Sequence, residues 1–218
     1  MSNARILLEA VVETVDAAVA AEKAGASRLE LCANLRADGT TPEAAVLGAV
    51  VERVRIPVFV MIRPRAGDFV YNEDELAASE RSIDDLGARG AAGLVLGVLR
   101  TDRTVNIEAT NRLVGRGRGW PVTFHRAFDN TPDRSVALED ILAAGVTRVL
   151  TSGGASTAAE GTAALADLVR RSGGRAVILA GGGVRAHNVA AIVARTGVSE
   201  VHARFESSAQ IRAMVDLL

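Results

Sequence analysis

The stretch AGVTRVLT, residues 144–151, sets the reading of the whole chain. An amphipathic segment ends at a glycine, a short connector follows, and an apolar run begins. Glycine suits the left-handed residue that closes a helix, so the stretch reads as a helix-to-strand turn. AGASRLEL (24–31) and TGVSEVHA (196–203) superpose on it. These are recurrences of one local structure and do not by themselves prove duplication.

Working outward, eight short apolar runs read as strands: 5–12, 28–32, 57–63, 93–99, 121–127, 148–152, 176–182 and 200–204. Helical segments lie between them. Thr41-Pro42-Glu43 and Thr131-Pro132-Asp133 each read as N-cap, proline at the first helical position and an acid in the first turn. Strands that are nearly continuous in apolarity and alternate with helices imply a parallel sheet covered on its faces. Eight such units in 218 residues predict an α/β fold, a single (β/α)8 TIM-barrel-like domain over 1–218. A doubly wound nucleotide-binding sheet would want a glycine-rich turn after its first strand, and EAVVETV has none.

Composition narrows the function. Residues are 49% hydrophobic but only 3% aromatic, so the core must be aliphatic. The net charge is -1, the basic residues are scattered, and GRGRG (115–119) is too short for a nucleic-acid footprint. Cys32 is the one cysteine, which excludes an intramolecular disulfide and a zinc-type cysteine cluster. No signal-peptide pattern and no apolar run of membrane-spanning length are present, so the expectation is a soluble, cytoplasmic protein without membrane or nucleic-acid partners.

TFHRAFD (123–129) places ionisable groups in a segment that otherwise reads as a buried strand. Charge buried there is costly unless paired. By strand parity, Glu30, His125 and His202 face the barrel axis in one upper layer, joined by Glu9 late in strand one and Arg63 ending strand three. Taken singly, each could as well be structural. Together they form a candidate catalytic set at the C-terminal ends of the strands, and no comparable set is expected at the strand starts. Arg126, of opposite parity, is expected to face a helix and pair with an acid. Asp129 either orients His125 or caps a turn, the former being preferred. His187 reads as a surface or capping residue.

Ligand contacts are expected from the loops at the same end: Arg65 and Asp68 after strand three, Asp129 after strand five, Ser152 after strand six, and Gly181, Gly182 and Gly183 after strand seven. In barrels, that last position commonly offers backbone N–H groups to an anion.

RLELC (28–32), IRPRAGDFVY (62–71), GLVLGVL (93–99), TFHRAFD (123–129), RVLTSGG (148–154), ILAGGGVRAHN (178–188) and EVH (200–202) resemble, in order, the CutC family, named for copper homeostasis. The resemblance implies a TIM-barrel-like fold, a cytoplasmic location, commonly an oligomer (dimer or tetramer), and a copper role. Three departures stand out. Glu9 is followed by Ala10 and Val11 where the family usually has Val-Cys. ARFESS (203–208) replaces a Ser- and Gly-containing loop, and the C-terminus, ending at Leu218, is shorter.

Two functions follow. One is binding of, or acid–base chemistry on, a small anionic, sugar- or phosphate-like metabolite, of isomerase, lyase or hydrolase type. The other is direct Cu(I) handling through Cys32 and a nearby histidine. Cu(I) prefers thiolate and thioether ligands, so one cysteine and three scattered methionines support it poorly, and no metal site is assigned. Schiff-base chemistry is not expected, because the sole lysine, Lys23, ends a helix outside the barrel.

Overall fold

The structure is a computed structural model that describes residues 6–117 and 119–218. The expected strand start at Arg5, together with Met1 and Arg118, lies outside them. Among the described residues, strands and helices alternate as β1 (Leu7–Val12), α1 (Val15–Lys23), β2 (Arg28–Leu31), α2 (Ala44–Val51), β3 (Val58–Met61), α3 (Glu73–Gly87), β4 (Gly93–Leu96) and α4 (Ile107–Arg116). The second half runs β5 (Val122–Phe124), α5 (Arg134–Ala143), β6 (Arg148–Thr151), α6 (Thr162–Ser172), β7 (Val177–Ala180), α7 (Val189–Thr196), β8 (Glu200–Arg204) and α8 (Ser208–Val215). The strands pair in parallel in sequence order, and β8 returns to β1, closing the barrel. This is the TIM-barrel fold. The glycines of the recurring turn, Gly25, Gly145 and Gly197, all take positive φ, which L side chains resist.

Alternation along each strand divides the core in two. Leu8, Leu29, Val60, Leu94, Phe124, Val149 and Val201 face the helices in one large apolar cluster. Val11, Cys32, Phe59, Met61 and Val95 form a smaller one. The small cluster lies on the inward parity, so the barrel axis is only partly apolar and leaves room for charge.

Two helix starts differ from the sequence reading. Both prolines lie before their helices. Helix α5 begins at Arg134 because the Asp133 carboxylate accepts N–H bonds from Ser135 and Val136, whereas Thr131 donates its hydroxyl to the carbonyl of Phe128. Helix α2 begins at Ala44, with Glu43 as N-cap and no side-chain cap bond. The hydroxyl of Thr41 instead accepts the backbone N–H of Arg63 at 2.8 Å, tying the loop after β2 to the end of β3. Lys23 is exposed in the last turn of α1, outside the barrel. No described helix is long and apolar enough to cross a membrane.

Candidate active site at the barrel mouth

The three recurring turns each start their strand with an inward charged residue: Arg28, Arg148 and Glu200. Side chains of alternate strands share a layer in such barrels, and these three meet. Arg28 Nη2 donates to Glu200 Oε2 at 2.5 Å, and Arg148 Nη2 to Glu200 Oε1 at 2.9 Å. The fourth even strand contributes Gly93, whose Cβ would stand 2.6 Å from the Phe59 ring. Phe59 fills that place and lies under both guanidiniums, 4.9 Å from Arg28 Cζ and 5.5 Å from Arg148 Cζ. This layer, with Arg28 and Glu200 buried and Arg148 partly so, corrects the expectation that the strand starts carry no comparable set.

Two residues further along the same strands stand Glu30, Val95, Leu150 and His202. Glu9, from β1, lies between the two layers and bonds both. Its Oε2 accepts from Arg28 Nε, and its Oε1 lies 2.8 Å from His202 Nδ1. Glu30 Oε2 is 3.9 Å from the same nitrogen, is buried, and has no hydrogen-bond partner. His202 Nδ1–H therefore donates to Glu9, which leaves Nε2 for the cavity that His202 lines.

Burial would raise the Glu9 pKa, but the hydrogen bond from His202 and the charges of Arg28 and His202 overcome it and bring it to about 2. Burial raises Glu30 to about 7, with Glu9 adding to the rise and His202 and Arg28 opposing it. His202 is lowered by burial, yet Glu30 and Glu9 outweigh that and its pKa rises. One proton held between Glu30 and His202 then makes the group of Glu9, Glu30, Glu200, Arg28, Arg148 and His202 neutral on either residue.

Above this floor opens a cavity of about 480 Å³. Its lining includes Glu30, Arg63, His125 and His202, four of the expected catalytic set. Glu9 is not among the lining. It sits mid-strand, fully buried beneath the floor between the two layers, lower than expected, and reaches the cavity only through His202.

Arg63 is held by backbone. Nη1 donates to the carbonyls of Ala37 and Gly39, both at 2.8 Å, and Nη2 to that of Gly67 at 3.0 Å. It straps the loop after β2 to the loop after β3, and its buried Nε has no partner. The Phe69 ring lies 5.0 Å from Arg63 Cζ and 4.8 Å from the His125 ring centroid.

His125 caps the short 3-10 turn Arg126–Asn130, its Nδ1 accepting the N–H of Ala127 at 3.2 Å. Burial, and then the charge of Arg63, lowers its pKa to about 3. Gly97 makes room for the ring, since a Cβ there would stand 2.6 Å from both Cε1 and Nδ1.

Asp129 lines the cavity, as expected of a ligand contact, but it does not orient His125. Its carboxylate accepts from Arg126 Nε, the Ser152 hydroxyl, the Thr151 hydroxyl and the N–H groups of Ser152 and Gly154. The 3-10 turn redirects the chain after His125, so strand parity no longer governs. Arg126 thus pairs with an acid, as expected, but it lines the cavity rather than facing a helix. Ser152 is fully buried, bonded to Asp129 and Ala155, and supports the wall from behind.

Arg65 and Asp68 pair with each other, Arg65 also with Glu75, on the outer side of their loop and away from the cavity lining. Gly182 and Gly183 line the cavity, whereas Gly181 packs beneath it against Leu150 and His202. The glycine turn is separated from α7 by residues 184–188, so any anion contact there comes from loop N–H groups and not from a helix end. His187 is exposed in that segment.

Arg185, at the rim, pairs with Glu206 at 2.5 Å. Arg204, exposed at the end of β8, lines the cavity and has no ion pair among the described residues. Sequence reasoning missed Arg204, although it shares the parity of His202.

Glu9, Glu30 and His202 offer ligand atoms within 4.8 Å of one another. A divalent ion there would have to share Glu9 with the Arg28 guanidinium and displace the His202 proton, so the trio suits a proton better than a cation. For Cu(I), Cys32 and Met61 come together: a Cβ on Gly39 would meet Cys32 Sγ at 3.3 Å and Met61 Cε at 3.4 Å. Burial raises the Cys32 thiol above its ordinary pKa, against formation of a thiolate.

The CutC family model matches residues 6–207. The chain belongs to the CutC family. It is 45% identical over 202 residues to the mouse copper homeostasis protein cutC homolog, covering 93% of this chain and 74% of that protein. A family protein CutC of Caulobacter vibrioides is 43% identical over 94% of this chain and 83% of its own length. The crystal structure of a CutC from Streptococcus agalactiae superposes with a TM-score of 0.86 at 36% identity, covering 90% of this chain and 97% of that one.

Proposed function

We propose that the barrel mouth binds a small anionic metabolite and moves a proton on it, with Glu30 and His202 Nε2 as the two groups that give and take the proton. The observation that carries this reading is Glu30 itself. A buried carboxylate with a partnerless oxygen stands 3.9 Å from an imidazole already held by Glu9, on the floor of an open cavity. A group whose pKa lies near neutrality is suited to general acid–base work. Arg126 and Arg204, with the loop N–H groups of Gly182 and Gly183, supply positive potential where an anionic group would enter. With Lys23 outside the barrel, the chemistry proceeds without an imine.

The test is metabolite profiling with purified protein. The expected result is enrichment of an anionic sugar-like compound, lost on Arg204→Ala and retained on Glu30→Gln, while Glu30→Gln lowers turnover by at least 100-fold, the scale of general acid–base catalysis. Enrichment of neutral compounds alone, or indifference to both substitutions, would refute the reading.

A second reading, direct Cu(I) binding, is favoured by the adjacency of Cys32 and Met61 and by the names of the relatives. The thiol and thioether suit Cu(I), but the thiol is 1% exposed and resists ionisation. In competition with a strong colorimetric Cu(I) chelator under reducing conditions, the protein is expected to surrender its copper. A stoichiometric site that survives the chelator and vanishes in Cys32→Ala would reinstate the copper reading.

A further inference from the structure

His125 has a fixed tautomer. Its Nδ1 accepts the N–H of Ala127, and a ring nitrogen that accepts cannot carry a proton. The ring proton therefore resides on Nε2 and the imidazole is neutral. That Nε2–H is buried, has no partner, and belongs to a residue lining the cavity. Leaving such a donor unsatisfied is costly, and the ring is clamped between Phe69, the Gly97 backbone and the 3-10 turn it caps.

Resting on the proposed acid–base reading, we infer that His125 donates Nε2–H to a substrate oxygen that becomes negative in the reaction, and that the substrate is therefore an enolisable carbonyl, an anionic hydroxyketone or hydroxyaldehyde. A neutral imidazole is suited to polarising a carbonyl, and a donor fixed in advance stabilises developing charge without reorganising. Glu30, on the floor of the same cavity, supplies the base.

The step balances without a co-reactant. Ionised Glu30 takes a proton from the carbon next to the carbonyl. The C–H electron pair becomes the C=C bond of an enediolate, and the carbonyl π pair moves to oxygen, where His125 Nε2–H receives it. Return of the proton to the same carbon inverts or restores that centre. Return to the former carbonyl carbon, with the hydroxyl proton passing to the former carbonyl oxygen, interconverts aldose and ketose. Nothing is oxidised or reduced overall.

The experiment incubates the protein in D2O with dihydroxyacetone phosphate, ribulose 5-phosphate, fructose 6-phosphate or hydroxypyruvate, and follows deuterium entry beside the carbonyl by proton NMR. Asparagine at 125 can still accept the Ala127 N–H but removes the distal donor, whereas glutamine can place an amide N–H near the position of Nε2. The expected result is exchange on at least one probe, slowed about 100- to 1000-fold in His125→Asn and partly restored in His125→Gln. Nitrogen NMR of labelled histidine should also show a neutral His125 ring, protonated at Nε2, from pH 5 to 8. Binding without exchange, exchange that survives His125→Asn, or an imidazolium in that pH range would overturn the inference and leave the anion pocket standing. Failure of every probe to bind would overturn both.

Discussion

Methionine in place of Arg28 is expected to destabilise the fold by on the order of 3–5 kcal/mol, the usual consequence of removing one partner from a buried ion pair. Arg28 is 2% exposed and bonds two carboxylates at once, Glu9 and Glu200. Glu200 would keep Arg148, but Glu9, fully buried, would retain only His202. Burial would then dominate the Glu9 carboxyl and lift its pKa from about 2. Urea denaturation at pH 7 measures the loss as a lower midpoint at unchanged slope. Adding Glu9→Gln to the variant removes the stranded charge and should recover part of the loss. A single variant within about 1 kcal/mol of the parent, the scale of an exposed pair, would show that the network beneath the cavity contributes little. The consequence reaches the site, because Glu9 is what holds His202 Nδ1.

The missed layer was present in the sequence. Arg28, Arg148 and Glu200 occupy the same position in the three superposable turns, two residues before Glu30, Leu150 and His202. A charged residue opening a strand is ordinarily read as solvated, and only closure of the barrel buries the strand starts around one axis. Parity put Glu30, His125 and His202 on the inward side, and all three line the cavity, but His125 packs on Gly97, two residues beyond Val95, and so stands above the layer of Glu30 and His202 rather than in it. It failed for Arg126, where the chain leaves the strand for a 3-10 turn, and the expectation of ligand contacts from the loop after β3 failed for Arg65 and Asp68, whose loop folds outward onto α3 through Glu75. The strands themselves were legible to within a few residues because apolar runs and glycine turns are local signals. The prolines misled at two helix starts, since competing side-chain bonds from Asp133 and Thr41 depend on the folded loops.

His125 should make a contribution of its own to the acid limb of stability. Its pKa falls from 6.5 to about 3 on folding, so between those values the unfolded chain binds more protons and stability rises with pH. Acidification from pH 6.5 to about 4 should therefore cost the parent roughly 3 kcal/mol, at about 1.4 kcal/mol per unit of pH, relative to His125→Asn, which does not titrate. The asparagine variant carries its own cavity penalty, but that offset is independent of pH, so the difference between the two curves isolates the ring. Glu9, whose pKa drops from 4.5 to about 2 on folding, contributes stability that is present above 4.5 and lost as the pH falls through 2. Glu30, whose pKa rises from 4.5 to about 7 on folding, contributes stability that is present below 4.5 and lost as the pH rises through 7, opposite in sign to His125 over the same window. Both carboxyl contributions are common to the two proteins and cancel in the difference. His202, with its pKa raised, stabilises below its unfolded value and loses that stability as the pH rises through the folded one, so it acts on the opposite limb. Unfolding free energies at several pH values, compared between the two proteins, decide the matter. Parallel curves would mean that His125 accepts a proton in the folded state as readily as in water, and a ring that does so cannot serve as the neutral donor the cavity requires.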